Sequence, residues 1–248
     1  MNISMVHSKG GVTKSSIAAN LSIWLRQKGH HVAAVDLDAG RFGNKSLSTA
    51  VGQADPELPV FHAESAQSVR TLLAGLSEKF HFIISDAPGG FQTTAETNLE
   101  LLKHTDFALV PVKPDFDDIE PLTVVEEVIT EAKAVNPLLE ARVIINCLDL
   151  RTKTARHLDK TIAIINSVAP SLRVMRQAVR IDRNAFQSAR MNGSVVIQGP
   201  RSAARDDLDS LFSGLLSDIV VAINRHGLAT SGRTTTNGGN DEAKAVHG

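Results

Sequence analysis

The chain has 248 residues, with 26 Lys and Arg against 27 Asp and Glu, so its net charge of −1 gives no sign of a polyanion partner. One cysteine, Cys147, excludes an internal disulfide framework and a four-cysteine metal site and points to a reducing compartment. Nine Phe, one Trp and no Tyr leave few platforms for stacking nucleic-acid bases, and no apolar run reaches the ~18 residues of a membrane span.

In chain order, Ile3–His7, His31–Asp36, Pro59–His62, Phe80–Asp86, Phe107–Val112, Ala141–Cys147 and Leu172–Met175 read as short strands. Amphipathic stretches such as Ile17–Gln27 and Leu122–Val135 separate them, which predicts βαβ units, a mainly parallel sheet and ligand binding at the carboxyl ends of the strands. A last helix over Asp206–Asn224 carries Leu208, Leu211, Phe212, Leu215, Leu216, Ile219, Val220 and Ile223 at spacings of three and four. Asp206, Asp207, Asp209 and Asp218 outnumber Arg225 on it, so an anionic membrane surface would repel it and it reads as a helix closing over the sheet. One domain is expected over 1–227. Residues 228–248, rich in Thr, Gly, Asn and Ser, read as a disordered tail.

The first strand runs into Ser8-Lys9-Gly10-Gly11-Val12-Thr13-Lys14-Ser15-Ser16, and a helix follows. A strand, a glycine-containing loop, Lys-Ser and a helix N-terminus together hold phosphates: backbone N–H groups face the anion, Lys14 adds a point charge and Ser15 can bind Mg²⁺. The usual pattern G-x-x-x-x-G-K-S/T is not met, because Ser8 and Thr13 occupy both glycine positions. Downstream, Asp36 and Asp38 bracket the end of the second strand, and Asp86 ends an apolar strand before Ala87-Pro88-Gly89-Gly90. Carboxylates so placed beside a phosphate loop suit a metal's water shell and an attacking water, although Asp36 and Asp38 alone also read as acidic turn residues.

With its second lysine, Lys9-Gly10-Gly11-x-x-Lys14-Ser15-Ser16 resembles the deviant Walker A loop, K-G-G-x-G-K and two Ser/Thr, of the ParA/MinD superfamily. The resemblance extends over about 220 residues through Asp36-Leu37-Asp38 (with Ala39-Gly40 in place of the family's Pro-Gln), Asp86-Ala87-Pro88, Val110-Pro111-Val112, and Asn146 followed by Asp149-Leu150-Arg151-Thr152. It implies a three-layer P-loop NTPase fold of the α/β class and an ATP- and Mg²⁺-dependent hydrolase. The family glycine before the lysine lies in a tight loop that wants positive φ, where the β-branched Thr13 costs about 1–3 kcal/mol. Either the loop takes a slightly different path, or affinity and turnover are reduced. By resemblance, Lys9 reaches across an ATP-sandwich homodimer and Lys14 and Asp38 complete the catalytic set. Gly10, Gly11, Val12, Thr13, Ser15 and Ser16 join the lysines around the nucleotide. Ser15, Asp36 and Asp86 form the metal shell, and Asn146 lies by the adenine, although an Asn ending a strand has an ordinary turn role too.

The charge is segregated. Residues 171–205 hold Arg173, Arg176, Arg180, Arg183, Arg190, Arg201 and Arg205 against Asp182 alone, a local +6, which leaves −7 for the remainder. A solvated basic face is one reading. By resemblance the stretch is a surface for nonspecific DNA, where arginines neutralise phosphates in a salt-sensitive way. The leading expectation is a cytoplasmic, nucleoid-associated ParA-type ATPase for plasmid or chromosome partition, with a ParB-type centromere-binding partner or cargo adaptor and no membrane. The alternatives are an ATPase that positions an organelle or protein cargo on the nucleoid, an ATP-dependent ligase resembling dethiobiotin synthetase, and a module that binds nucleotide without hydrolysing it.

Overall fold

The computed structural model describes residues 1–38, 46–89, 91–151 and 158–231, with backbone alone at 91–93 and 226–231. The strands are β1 (Asn2–Met5), β2 (Val32–Asp36), β3 (Val60–His62), β4 (Phe82–Asp86), β5 (Phe107–Val112), β6 (Glu140–Ile145) and β7 (Arg173–Val174). They form one sheet in the order β3-β2-β4-β1-β5-β6-β7, with every pairing parallel. All seven expected runs are strands, with ends within two residues of the expected ones. The inner strands β1, β2, β4 and β5 are buried along their whole length, which is why β2, β4 and β5 read as near-continuous apolar runs, while β1 buries Asn2 and Ser4 alongside Ile3 and Met5. The edge strands β3 and β7 keep partly exposed residues. Ile83 and Ile84 of β4 are fully buried, so truncating either to Ala would cost roughly 2–5 kcal/mol.

The helices are α1 (Lys14–Gln27), α2 (Leu47–Ala54), α3 (Ala66–Ser77), α4 (Phe91–Lys103), α5 (Phe116–Ile119), α6 (Leu122–Val135), α7 (Leu158–Val168), α8 (Arg183–Met191) and α9 (Ala203–Ser231). Several start on side-chain caps: Ser46 accepts from the Thr49 amide, Ser65 and Ser68 form a reciprocal box, and Asp115 and Asp182 cap α5 and α8. The start of α1 differs, with Thr13 at its head making no side-chain cap. Its first N–H groups are therefore left for a ligand.

Residues Met1–Phe212 form one compact unit, and a second begins at Ser213. In the first, Leu208, Leu211 and Phe212 of α9 are buried. Trp24 of α1 lies 5.7 Å from the Phe212 ring and donates to Asp209 Oδ1 at 2.7 Å, so it meets α9 through both its apolar body and its N–H. In the second unit the described chain is helical to Ser231, past the 228 boundary expected for the tail; residues 232–248 lie outside the described residues.

The strand register places the chemistry. Asp36 and Met5 both pair with Asp86, so β1, β2 and β4 end at one level, and the loop after β1 leaves beside Asp86 of β4 with Asp36 of β2 one strand further on. On the other side of β1, Val112 pairs with Ile145, which brings Asn146 to the same rim. The chain runs outward to β3, returns to β4 and crosses to β5, so its direction reverses beside β1, the position where such sheets bind ligands.

Candidate nucleotide-binding site

The loop between β1 and α1 keeps the tight turn, one of the two paths open to it with threonine at position 13. Gly11 has φ 79° and Thr13 has φ 71°, both left-handed. Thr13 thus adopts the geometry of the glycine it replaces, at the strain expected of a β-branched residue. Its Oγ1 donates to the Val12 carbonyl and accepts from Asn146 Nδ2. His7, fully buried at the end of the strand segment, accepts from the Lys9 amide through Nδ1 at 2.9 Å. Burial first, then the nearby Lys14 charge, lowers the His7 pKa to about 4, so the ring stays neutral and able to accept. A histidine at the strand-to-loop junction was visible in the sequence, but its bond to the loop was not.

Lys14 is 7 % exposed, and its Nζ lies 3.4 Å from the Lys9 carbonyl. Burial lowers its pKa, while Asp86 and Asp38 act the other way. Asp86 is 1 % exposed and its Oδ1 has no hydrogen-bond partner. Burial raises its pKa to about 7 against a hydrogen bond from Ser15 and the Lys14 charge, and Asp36 and Asp38 raise it further. A buried carboxylate with an orphan oxygen, facing a hydroxyl and two more carboxylates, is a site that a divalent cation would relieve. The residues therefore fit Mg²⁺ beside a phosphate chain. A Cβ on Gly89 would lie 3.5 Å from Gly10 Cα and 3.7 Å from Lys14 Nζ, so the chain after β4 lies directly on the loop.

Asp36, expected in the metal shell, is 1 % exposed and already engaged. Its Oδ1 accepts from the Asp38 amide at 3.1 Å, and its Oδ2 accepts from the Ser48 amide and hydroxyl at 2.9 and 2.7 Å. It ties the end of β2 to the first turn of α2 and fixes where Asp38 stands. Ala39-Gly40 lie outside the described residues, as do Gly90 and Thr152.

Lys9 does not point into open solvent. Its Nζ sits 2.5 Å from Oδ1 of Asp118, a 1 % exposed residue of α5, and 3.3 Å from the Asp117 carbonyl. Lys113 approaches the other Asp118 oxygen at 3.7 Å. Residues 115–131 hold seven acids and no Lys or Arg, and this acidic run supplies the partner of the second loop lysine. Beyond Asn146, Leu148–Arg151 and Arg180–Asn184 line a cavity of about 440 Å³, within the size range of small-molecule sites. Asp149 and Arg151 pair there at 2.7 Å, and the pair holds the Asp149 pKa down at about 2.

The seven arginines do not share one environment. Arg180 forms a bidentate pair with Asp207, at 2.7 Å for each guanidinium bond, and Arg201 pairs with Asp206 at 3.2 Å. Arg205 donates to the Gly199 carbonyl at 2.7 Å. Arg173 at the β7 edge, Arg176, and Arg183 and Arg190 on α8 are exposed. Arg190 also lines a small cavity with Ser15 and Ser16, close to the loop. Charge segregation along the chain is therefore partly cancelled in space, because Asp206 and Asp207 follow directly after the basic stretch.

The model of the CobQ/CobB/MinD/ParA nucleotide binding domain matches residues 3–190. The chain belongs to that family. It is 27 % identical over 217 residues to the maintenance of carboxysome distribution protein A of Halothiobacillus neapolitanus, covering 86 % of this chain and 95 % of that protein. Among solved structures it resembles MinD of Pyrococcus horikoshii in complex with Mg-ADP, with a TM-score of 0.69 at 18 % identity over 89 % of this chain and 98 % of the other. It also resembles apo McdA of Cyanothece, with a TM-score of 0.66 at 16 % identity over 88 % and 98 % of the two chains. The all-parallel sheet with flanking helices is the fold of the MinD and ParA P-loop proteins.

Proposed function

We propose that this chain is a ParA-type ATP hydrolase that distributes a protein or organelle cargo over the nucleoid. The observation that carries this reading is the similarity to a carboxysome distribution protein over 86 % of this chain and 95 % of that one, joined to a loop with both lysines. It favours cargo positioning over the plasmid or chromosome partition that led the expectations from sequence.

The N–H groups of Gly10–Ser16 and the Lys14 ammonium would hold the phosphates, and Ser15 and Asp86 the metal. Asp36, bonded to Ser48 and to the Asp38 amide, would reach the metal's water shell only through the lone pairs those bonds leave. Mg²⁺ supplies charge neutralisation between the phosphates and Asp86 when bound. Lys14 offsets negative charge from within the buried cradle, where a fixed cation acts more strongly than in water. Asp38, its amide anchored on Asp36, orients the attacking water. Strain at Thr13 makes turnover slow. Lys9, moving off Asp118, reaches the nucleotide of a second copy, and the resulting dimer is the DNA-binding form. The exposed Arg173, Arg176, Arg183 and Arg190 are the best placed to meet phosphates of nonspecific DNA, and pairing two subunits raises affinity through effective concentration. A ParB-type or cargo adaptor protein completes the cycle by stimulating hydrolysis. The working location is the cytoplasm, on the nucleoid; among the described residues no helix is long and apolar enough to cross a membrane.

Imaging a fluorescently tagged copy in its own cells tests this. The wild type should coincide with the stained nucleoid, and Lys14→Ala should spread evenly. A wild type that is diffuse or peripheral would overturn the reading.

A further inference from the structure

Thr13 is a residue in a conformation it would not choose. At φ 71° and ψ 22° it occupies the left-handed region without being glycine, and such a residue persists only where its surroundings over-determine it. Two hydrogen bonds do so here: Thr13 Oγ1 donates to the Val12 carbonyl and accepts from Asn146 Nδ2. Asn146 is a firm anchor. It is 3 % exposed, and its amide donates to the Val112 carbonyl at 2.7 Å. The residue after it, Cys147, is itself left-handed at φ 56°, so the chain turns sharply immediately beyond the strand end. The two residues are 133 positions apart, and their bond ties the rim of β6 to the turn that precedes Lys14.

We propose that Asn146 acts on the nucleotide through Thr13: it is a positioning residue that holds the phosphate loop in its left-handed turn. The inference rests on the nucleotide-binding reading of the loop. A glycine at position 13 needs no such tether, because it adopts positive φ without strain and has no hydroxyl to bond. The tether therefore belongs to the threonine form of the loop, and its effect falls on phosphate binding, whatever base the ligand carries.

The experiment is a double-mutant cycle read by isothermal titration with two ligands, Mg·ATP and Mg·tripolyphosphate, the second lacking base and sugar. The proteins are wild type, Asn146→Ala, Thr13→Gly, the double variant and Thr13→Ser, each checked by circular dichroism and thermal melting. Asn146→Ala is expected to weaken both ligands alike, by about three- to tenfold, the worth of one net hydrogen bond. In the Thr13→Gly background the same substitution should leave both affinities unchanged, while Thr13→Ser, which keeps the hydroxyl, should bind as wild type does. If Asn146→Ala weakens ATP but not tripolyphosphate, and does so equally in both backgrounds, it contacts the base and the proposal is overturned. A lower melting temperature with both affinities unchanged would overturn it as well, leaving Asn146 a purely structural residue. Should wild type bind neither ligand, the nucleotide-binding reading fails first and takes this inference with it. Should Asn146→Ala not fold, Thr13→Ser and Thr13→Gly carry the test: equal affinities for wild type and Thr13→Ser are expected, and a loss in Thr13→Ser would refute the hydroxyl's role.

Discussion

Asp86→Asn replaces a carboxyl group that is 1 % exposed, and its effect on folding has a calculable sign and pH window. In the folded protein Asp86 titrates at about 7, with burial as the first cause. In the unfolded chain an aspartate titrates near 3.9. Between those values the folded state keeps a proton that the unfolded state releases, so this group's contribution to stability falls as pH rises from about 4 to about 7. Linkage puts the ceiling of that loss at about 1.5 kcal/mol at pH 5 and about 4 kcal/mol at pH 8, with none below pH 4. His7 works in the opposite sense, since its pKa is lowered to about 4 and its contribution rises with pH between that value and about 6.5. It is common to both proteins and cancels in their difference. The assay is urea unfolding of wild type and Asp86→Asn at pH 5 and pH 8, without nucleotide and with a chelator. Asp86→Asn should be the more stable at pH 8 by a few kcal/mol, and the gap should shrink to about 1 kcal/mol or less at pH 5. An equal gap at both pH values, or a less stable variant at pH 8, would refute the reasoning.

Asp118→Asn should release Lys9 and raise the ATP-dependent dimer population by a few-fold in sedimentation, since a pair with a half-exposed lysine is worth about 0.2–1 kcal/mol; an unchanged dimer constant counts against a competing role for Asp118. Arg180→Ala should lower stability by about 1 kcal/mol through its lost Asp207 pair and leave the salt dependence of DNA binding unchanged, whereas Arg176→Ala should do the reverse. Glu100, 5 % exposed and bonded to Arg70, His104 and Lys103, has its pKa held at about 2, chiefly by Arg70. Glu100→Gln should therefore cost about 1 kcal/mol at pH 7 in chemical unfolding, a difference that vanishes as pH falls from about 4 towards 2. A cost that persists at pH 2 would show packing rather than charge at work.

The strands were legible because most are short apolar segments bounded by turn residues, the inner ones buried, and the sheet's parallel sense followed from the helices between them. The strand, loop and helix of the phosphate loop were legible too, because such loops are local in sequence, but not which path the loop would take at Thr13. What lay hidden are the partners. Lys9 meets Asp118 across 109 positions and Asn146 meets Thr13 across 133, distances no spacing rule spans. Asp36 shows the same limit: its place at the end of β2 was clear, but not that Ser48 would occupy its carboxylate. The basic stretch was the most misleading feature. Its +6 ends at Arg205, and the next two residues, Asp206 and Asp207, fold back to pair with Arg201 and Arg180. A charge count over a window carries no information about which ions meet in three dimensions.

The central claim is that nucleotide occupancy gates binding to DNA. It is tested most directly by titrating a random-sequence duplex with wild type and Lys14→Ala, with ATP, with ADP and without nucleotide, across a salt series. The account predicts tight binding by the wild type with ATP alone, falling by orders of magnitude as salt rises, and none by Lys14→Ala. DNA binding that is absent, or the same with and without ATP, would contradict it.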